Sequence, residues 1–104
     1  MKHLIAACIL VLASQVASAD VASDKKLFDA KCAKCHNESG TGTFMLNRRL
    51  GKDKSLLEQR TDLAPGFVRH VVRNGILGMP PFTRVEVTDA ELDAIVRYLN
   101  RSRP

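Results

Sequence analysis

A chain of 104 residues with a formal net charge of +5 has room for one small domain. It contains no tryptophan, four phenylalanines and one tyrosine, and its charges of both signs are interspersed. That pattern argues against a nucleic-acid role, which calls for a basic stripe with aromatic residues. No internal repeat and no low-complexity segment interrupts it.

The first nineteen residues read differently from the rest. Lys2 is followed by an apolar run from Leu4 to Leu12 and by the small residues Ala17-Ser18-Ala19. This is the pattern of a secretory signal peptide over 1–19, cleaved after Ala19. The run is too short to span a bilayer. Cys8 lies inside it, in an Ile5-Ala6-Ala7-Cys8 stretch that resembles a lipoprotein box, but the apolar run continues past it. Cleavage after Ala19 leaves a domain over 20–104, exported to the periplasm, with no membrane span and with Cys32 and Cys35 as its two thiols. A domain of about 85 residues buries a modest core and generally needs a staple.

The elements that follow predict an all-α fold. A helix is expected from Ser23 or Asp24, through Leu27 and Phe28, into "CAKCH" at Cys32–His36. "NESGTGTFMLNRRLG" (37–51) is glycine-rich and polar at its start and reads as irregular. A weaker helix is expected over Lys54–Arg60. "APGFVRHVVRNG" carries Pro65 early and Gly75 at its end, with Phe67, Val68, Val71 and Val72 as its apolar stripe. "NGILGMPPFTRVEV" holds two glycines and two adjacent prolines and reads as a long loop. The last helix opens on a capping box, Thr88 with Glu91, and lays Leu92, Ile95, Val96 and Leu99 on one face.

Cys32, Cys35 and His36 carry the chemistry. Zinc wants four ligands, usually in two pairs, and the domain supplies no second pair at normal spacing. A redox dithiol wants a longer βαβ scaffold. C-x-x-C-H is the attachment signature of haem c. Two thiols three residues apart on a helix can each add to one vinyl group of a haem, and His36 then brings an imidazole to the iron. The export signal agrees with that reading.

For a second axial ligand the sequence offers Met79, Met45 and His70. Met79 precedes Pro80-Pro81, which push it toward extended backbone and stiffen its loop, while Gly75 and Gly78 permit close approach. Met45 sits in the segment soon after the motif, and His70 sits mid-helix beside Arg69. Arg48 and Arg49 are candidate partners for the haem propionates, with Arg73 and Arg84 competing. Leu27, Phe67, Val71, Ile76, Leu77 and Leu92 are the expected apolar surround. A haem sensor or peroxidase needs distal acid–base groups, and none flanks Met79 closely.

"LFDAKCAKCH", "VVRNGILGMPPF" and "TDAELDAIVRYL" together resemble a class I c-type cytochrome. That resemblance implies a single covalent haem in the core, electron transfer without a reaction of the chain's own, and crossing first and last helices with Phe28 and Tyr98 in contact. The stretch from Arg48 to Leu92 is similar to the cytochrome subunits of p-cresol methylhydroxylase-type flavocytochromes. This implies a flavoprotein dehydrogenase of phenolic substrates as the electron donor; a free periplasmic carrier to a terminal oxidase is the alternative. One feature departs from the wider family. Where many members have Gly-Pro-x-Leu, with a carbonyl that accepts the proximal histidine's N–H, this chain has Met45 in place of the proline.

Overall fold

The computed structural model describes residues 20–101; the expected signal and its cleavage point lie outside the described residues. Helical backbone (α1) runs over 20–31. The chain turns at Cys32, and a short α2 follows over Ala33–His36. Next come α3 over Thr41–Leu50, two 3-10 turns over Lys52–Lys54 and Leu57–Gln59, α4 over Pro65–Asn74 and α5 over Asp89–Leu99. Among the described residues the one extended pairing is an isolated bridge between Ile76 and Met79. The fold is all-α.

The core is where α1, α4 and α5 meet. Phe28 and Ile95 are its most enclosed large side chains, and Leu63, Val68, Val72, Val87, Leu92, Val96, Tyr98 and Leu99 complete it. Phe28 and Tyr98 rings lie 5.5 Å apart at 45°, the expected contact of first and last helices. Such a tilted pair adds about 1 kcal/mol beyond its buried area. Arg97 of α5 forks onto Asp24 of α1 with two bonds of 2.9 Å. The Tyr98 hydroxyl donates to Glu58, which ties the second 3-10 turn to α5.

α5 is built as its sequence predicts. Thr88 Oγ1 accepts from Glu91 N, and the Glu91 carboxylate accepts from Thr88 N, so two otherwise unpaired amides are satisfied. Pro65 opens α4 and Gly75, at φ +73°, closes it.

Three expectations are corrected. The segment 37–51 is irregular at its start, over 37–40, but not beyond. Gly40 and Gly51 punctuate it at either end, and between them α3 forms from residues that include the good helix formers Met45, Leu46, Arg48, Arg49 and Leu50. The single helix over Lys54–Arg60 is instead two 3-10 turns. The Ser55 hydroxyl donates to the Lys52 carbonyl, and Leu56 adopts extended backbone that breaks the run. α1 does not start at Ser23 or Asp24, because 20–23 is already helical and the buried Asp24 carboxylate is turned to Arg97. Phe67, Ile76 and Leu77, expected in the apolar surround, are exposed at 49%, 44% and 72% and lie outside the packed protein core, whereas Leu92 is inside it.

Candidate haem site

Cys32 interrupts the helical run at φ −122°, although its N–H still donates to Phe28 O at 2.8 Å. His36 N and Cys35 N donate back to Cys32 O. The turn therefore holds the two sulfurs and the imidazole in one rigid unit of five residues. Cys32 is half-buried against the core, whereas Cys35 is exposed. Burial, with the neighbouring Cys35 as a lesser cause, pushes the Cys32 thiol up to about 11.

The N-terminus of α3 packs directly on this unit. A Cβ at Gly40 would stand 2.2 Å from Cys35 O, and a Cβ at Gly42 would stand 2.8 Å from both Cys35 O and His36 Cε1, and 3.0 Å from His36 Nδ1. Only glycine permits that approach. It fixes the imidazole with its Nδ1 edge against α3. Nδ1 is fully buried without a hydrogen-bond partner, whereas Nε2 is not enclosed in this way. Burial lowers the His36 pKa, which favours the neutral ring that a metal ligand must be.

Met79 is placed by a second unit. Ile76 N donates to Met79 O at 3.1 Å and Met79 N to Ile76 O at 2.9 Å, which closes a tight turn over 76–79. Leu77 sits in that turn at φ +53°, a position where a branched side chain is unusual. Met79 is half-buried and packs against the same core cluster as Cys32, Ala33, Leu57 and Phe82. The turn is anchored by Phe82 N, which donates to Val72 O at 2.7 Å, and by Arg73. The Arg73 guanidinium donates to Phe82 O at 3.2 Å, to Val87 O at 2.9 Å and to Asp89 Oδ1 at 2.7 Å.

The other candidate residues sit elsewhere. Met45 is exposed on α3, and His70 is exposed on α4, where Asn74 Nδ2 lies 3.3 Å from its Nδ1. Arg48 and Arg49 are exposed in the last turn of α3, and Arg48 lies over the Phe44 ring at 5.8 Å. Arg73 and Arg84 both reach Asp89. Sequence reasoning did not single out Gly42 or the clamp made by Arg73. The Gly40-Thr41-Gly42 pattern soon after His36 was the available signal for the first. Nothing local signals the second, because its partners lie 9 to 16 residues away.

Two thiols and an imidazole on one turn, with a thioether and an apolar surface on the 76–79 turn that packs on the same core, make a donor set that fits a covalently held haem. The fit rests on His36 in particular. Its enclosed Nδ1 leaves Nε2 as the donor nitrogen, and the exposed Phe67, Ile76 and Leu77 supply apolar surface that the protein's own core does not use. The chain belongs to the cytochrome c family: residues 19–99 match the family described as cytochrome c oxidase, cbb3-type, subunit III. It is similar to the cytochrome c6 of Cyanidioschyzon merolae, at 32% identity over 82% of this chain and 77% of the relative. It is also similar to the cytochrome c subunit of 4-cresol dehydrogenase (hydroxylating) of Pseudomonas putida, at 31% identity over 88% of this chain and 72% of the relative. The cytochrome c6 of a Synechococcus strain is 31% identical over 85% of this chain and 75% of the relative. No solved structure gives a significant match. The protein is thus a monohaem c-type cytochrome of the class I fold, an electron carrier and not an enzyme, with haem c covalently bound. Among the described residues no helix is long and apolar enough to cross a membrane.

Proposed function

We propose that Cys32 and Cys35 would hold a haem through thioether links, with His36 Nε2 and Met79 as its iron ligands and Arg48 and Arg49 as partners for its propionates. When bound, the haem supplies the one-electron couple. The chain's own residues hold that couple rigid, so that little reorganises when its charge changes. The Cys32–His36 turn and the 76–79 turn each close on their own backbone, and α3 and Arg73 fix them to the rest of the fold. Neutral histidine and thioether ligation favours the ferrous form and raises the potential over that of a bis-histidine site. The signal-like segment over 1–19 supports export to the periplasm, where the protein acts.

The electron donor in this reading is a flavoprotein dehydrogenase acting on phenolic substrates. The observation that carries it is the 31% identity to the 4-cresol dehydrogenase cytochrome subunit over 88% of this chain. An exposed apolar run at Ile76 and Leu77, with Gly78, Pro80 and Pro81 beside it, suits a dry docking face. A second reading, a free carrier between redox proteins, is favoured by the equal identity to the cytochromes c6. Size-exclusion chromatography of extract from cells making the protein separates the two. Haem co-eluting with flavin at the size of a complex supports the subunit, with binding that changes little with salt. Haem at the monomer position alone, with activity that falls steeply as ionic strength rises, supports the free carrier.

A further inference from the structure

Among the described residues two buried side-chain polar atoms have no hydrogen-bond partner: His36 Nδ1 and Thr43 Oγ1. Buried orphans of this kind each cost about 1–3 kcal/mol, so two in one small region call for a reason. They are complementary. If Nε2 is to bind a metal, the ring proton must sit on Nδ1, which is then a donor that needs an acceptor. A threonine hydroxyl is an acceptor, and its own hydrogen remains available for a carbonyl of the preceding helical turn.

Both atoms lie where the start of α3 packs on the Cys32–His36 turn. Gly42 backs the imidazole, with its Cβ position 3.0 Å from Nδ1, and Thr43 follows Gly42 directly in α3. Thr43 is 7% exposed, and its Oγ1 is enclosed. Threonine divides between two χ1 rotamers in helices, which gives Oγ1 a second staggered position from which to meet a donor. The segment from Thr41 to Leu50 is helical. A helical carbonyl is committed to the amide four residues on. A side-chain acceptor on α3 escapes that constraint.

We infer that Thr43 is the positioning residue for the proximal histidine, its hydroxyl accepting the His36 Nδ1–H and so fixing the tautomer, the ring plane and the basicity of Nε2. This rests on the reading of His36 as an iron ligand. The partner of a ligating histidine raises its basicity and tunes the metal. A hydroxyl does so modestly, less than a carboxylate does, which keeps the potential on the high side.

The test uses the holoprotein with Thr43→Val, which keeps the shape and removes the hydroxyl, and Thr43→Ser, which restores it. Hyperfine-shifted His36 ring protons in the ferric NMR spectrum establish ligation independently of Thr43; their absence sinks the reading of His36 itself. With ligation established, Thr43→Val should move the reduction potential in the positive direction and speed solvent exchange of the ferrous Nδ1–H at least tenfold. Thr43→Ser should return both close to wild type. Unchanged potential and exchange in Thr43→Val would overturn the inference. Should Thr43→Val not accumulate, the wild-type ferrous protein decides: a nuclear Overhauser contact from Nδ1–H to the Thr43 side chain supports the assignment, and contacts only to other residues overturn it.

Discussion

Gly75 and Met79 meet backbone to backbone: a Cβ at Gly75 would stand 2.8 Å from Met79 O and 3.0 Å from Pro81 N. The same glycine holds φ +73°, where L side chains are strained. One residue thus ends α4 and lets the 76–79 turn fold back over it. Gly75→Ala should destabilise the protein by about 2 kcal/mol, from strain and from displacement of the turn. Denaturant titration of the holoprotein measures the loss. A midpoint matching wild type would mean that the turn moves aside at no cost.

Arg73 is the second anchor of that turn. Its guanidinium satisfies Phe82 O and the carbonyl of Val87, a residue 3% exposed. Arg73→Met keeps much of the apolar stem but leaves those carbonyls without their charged donor. The expected cost is about 3 kcal/mol, since hydrogen bonds from a charged group are strong and buried orphans are penalised. The loss should fall on the Met79 side of the site first. Easier displacement of Met79 by added imidazole in the variant, with haem still covalently attached, would show this.

Asp89 and Glu86 make the same region acid-sensitive. The Arg73 guanidinium, and Arg84 after it, hold the Asp89 carboxyl below its ordinary value of 3.8; the Thr83 backbone N–H and hydroxyl hold Glu86 below 4.5. Groups depressed in the folded state contribute stability above their unfolded values, and that stability is lost as pH falls through the folded ones. The turn should therefore be tight at neutral pH and loosen below about pH 4. Asp89→Asn should be less stable than wild type at pH 7, with the gap closing in acid, and its acid transition should move to higher pH. A gap that widened on acidification would reverse the assigned sign.

Much of this was legible in the sequence because it depends on local chemistry. The capping box at Thr88, the Pro65 and Gly75 boundaries of α4, and the apolar face of α5 each follow from residues within one or two turns of one another. The Phe28–Tyr98 contact followed from a family resemblance rather than from local pattern. α3 was missed because its glycines, read as loop formers, are there for close packing on Cys35 and His36, a tertiary reason that composition hides. A helix start at Ser23 or Asp24 is expected because short polar side chains commonly open helices; the Asp24 carboxylate instead meets Arg97, 73 residues away. The exposure of Phe67, Ile76 and Leu77 has a similar origin. Apolar pattern says that a side chain seeks cover but not whether the polypeptide itself supplies it.

Met79 carries the last prediction. It is half-buried on the core cluster that also receives Cys32, and its backbone is held on both sides by Ile76. Met45 and His70, the other residues able to ligate, are exposed on α3 and α4. Met79→Ala removes the thioether but leaves the hydrogen bonds of the turn in place, because those come from main-chain atoms. The protein should therefore still fold and keep its covalent haem. Three changes are expected together: loss of the weak long-wavelength sulfur–iron band of the ferric form, ready binding of carbon monoxide by the ferrous form, and a lower reduction potential, since a soft ligand that favours Fe(II) is gone. Ultraviolet–visible spectroscopy and a redox titration read all three from one sample. A variant with the band, the carbon monoxide resistance and the potential all intact would move the ligand to Met45 or His70. Met79→Ala combined with Met45→Ala or with His70→Ala would then identify which of them it is.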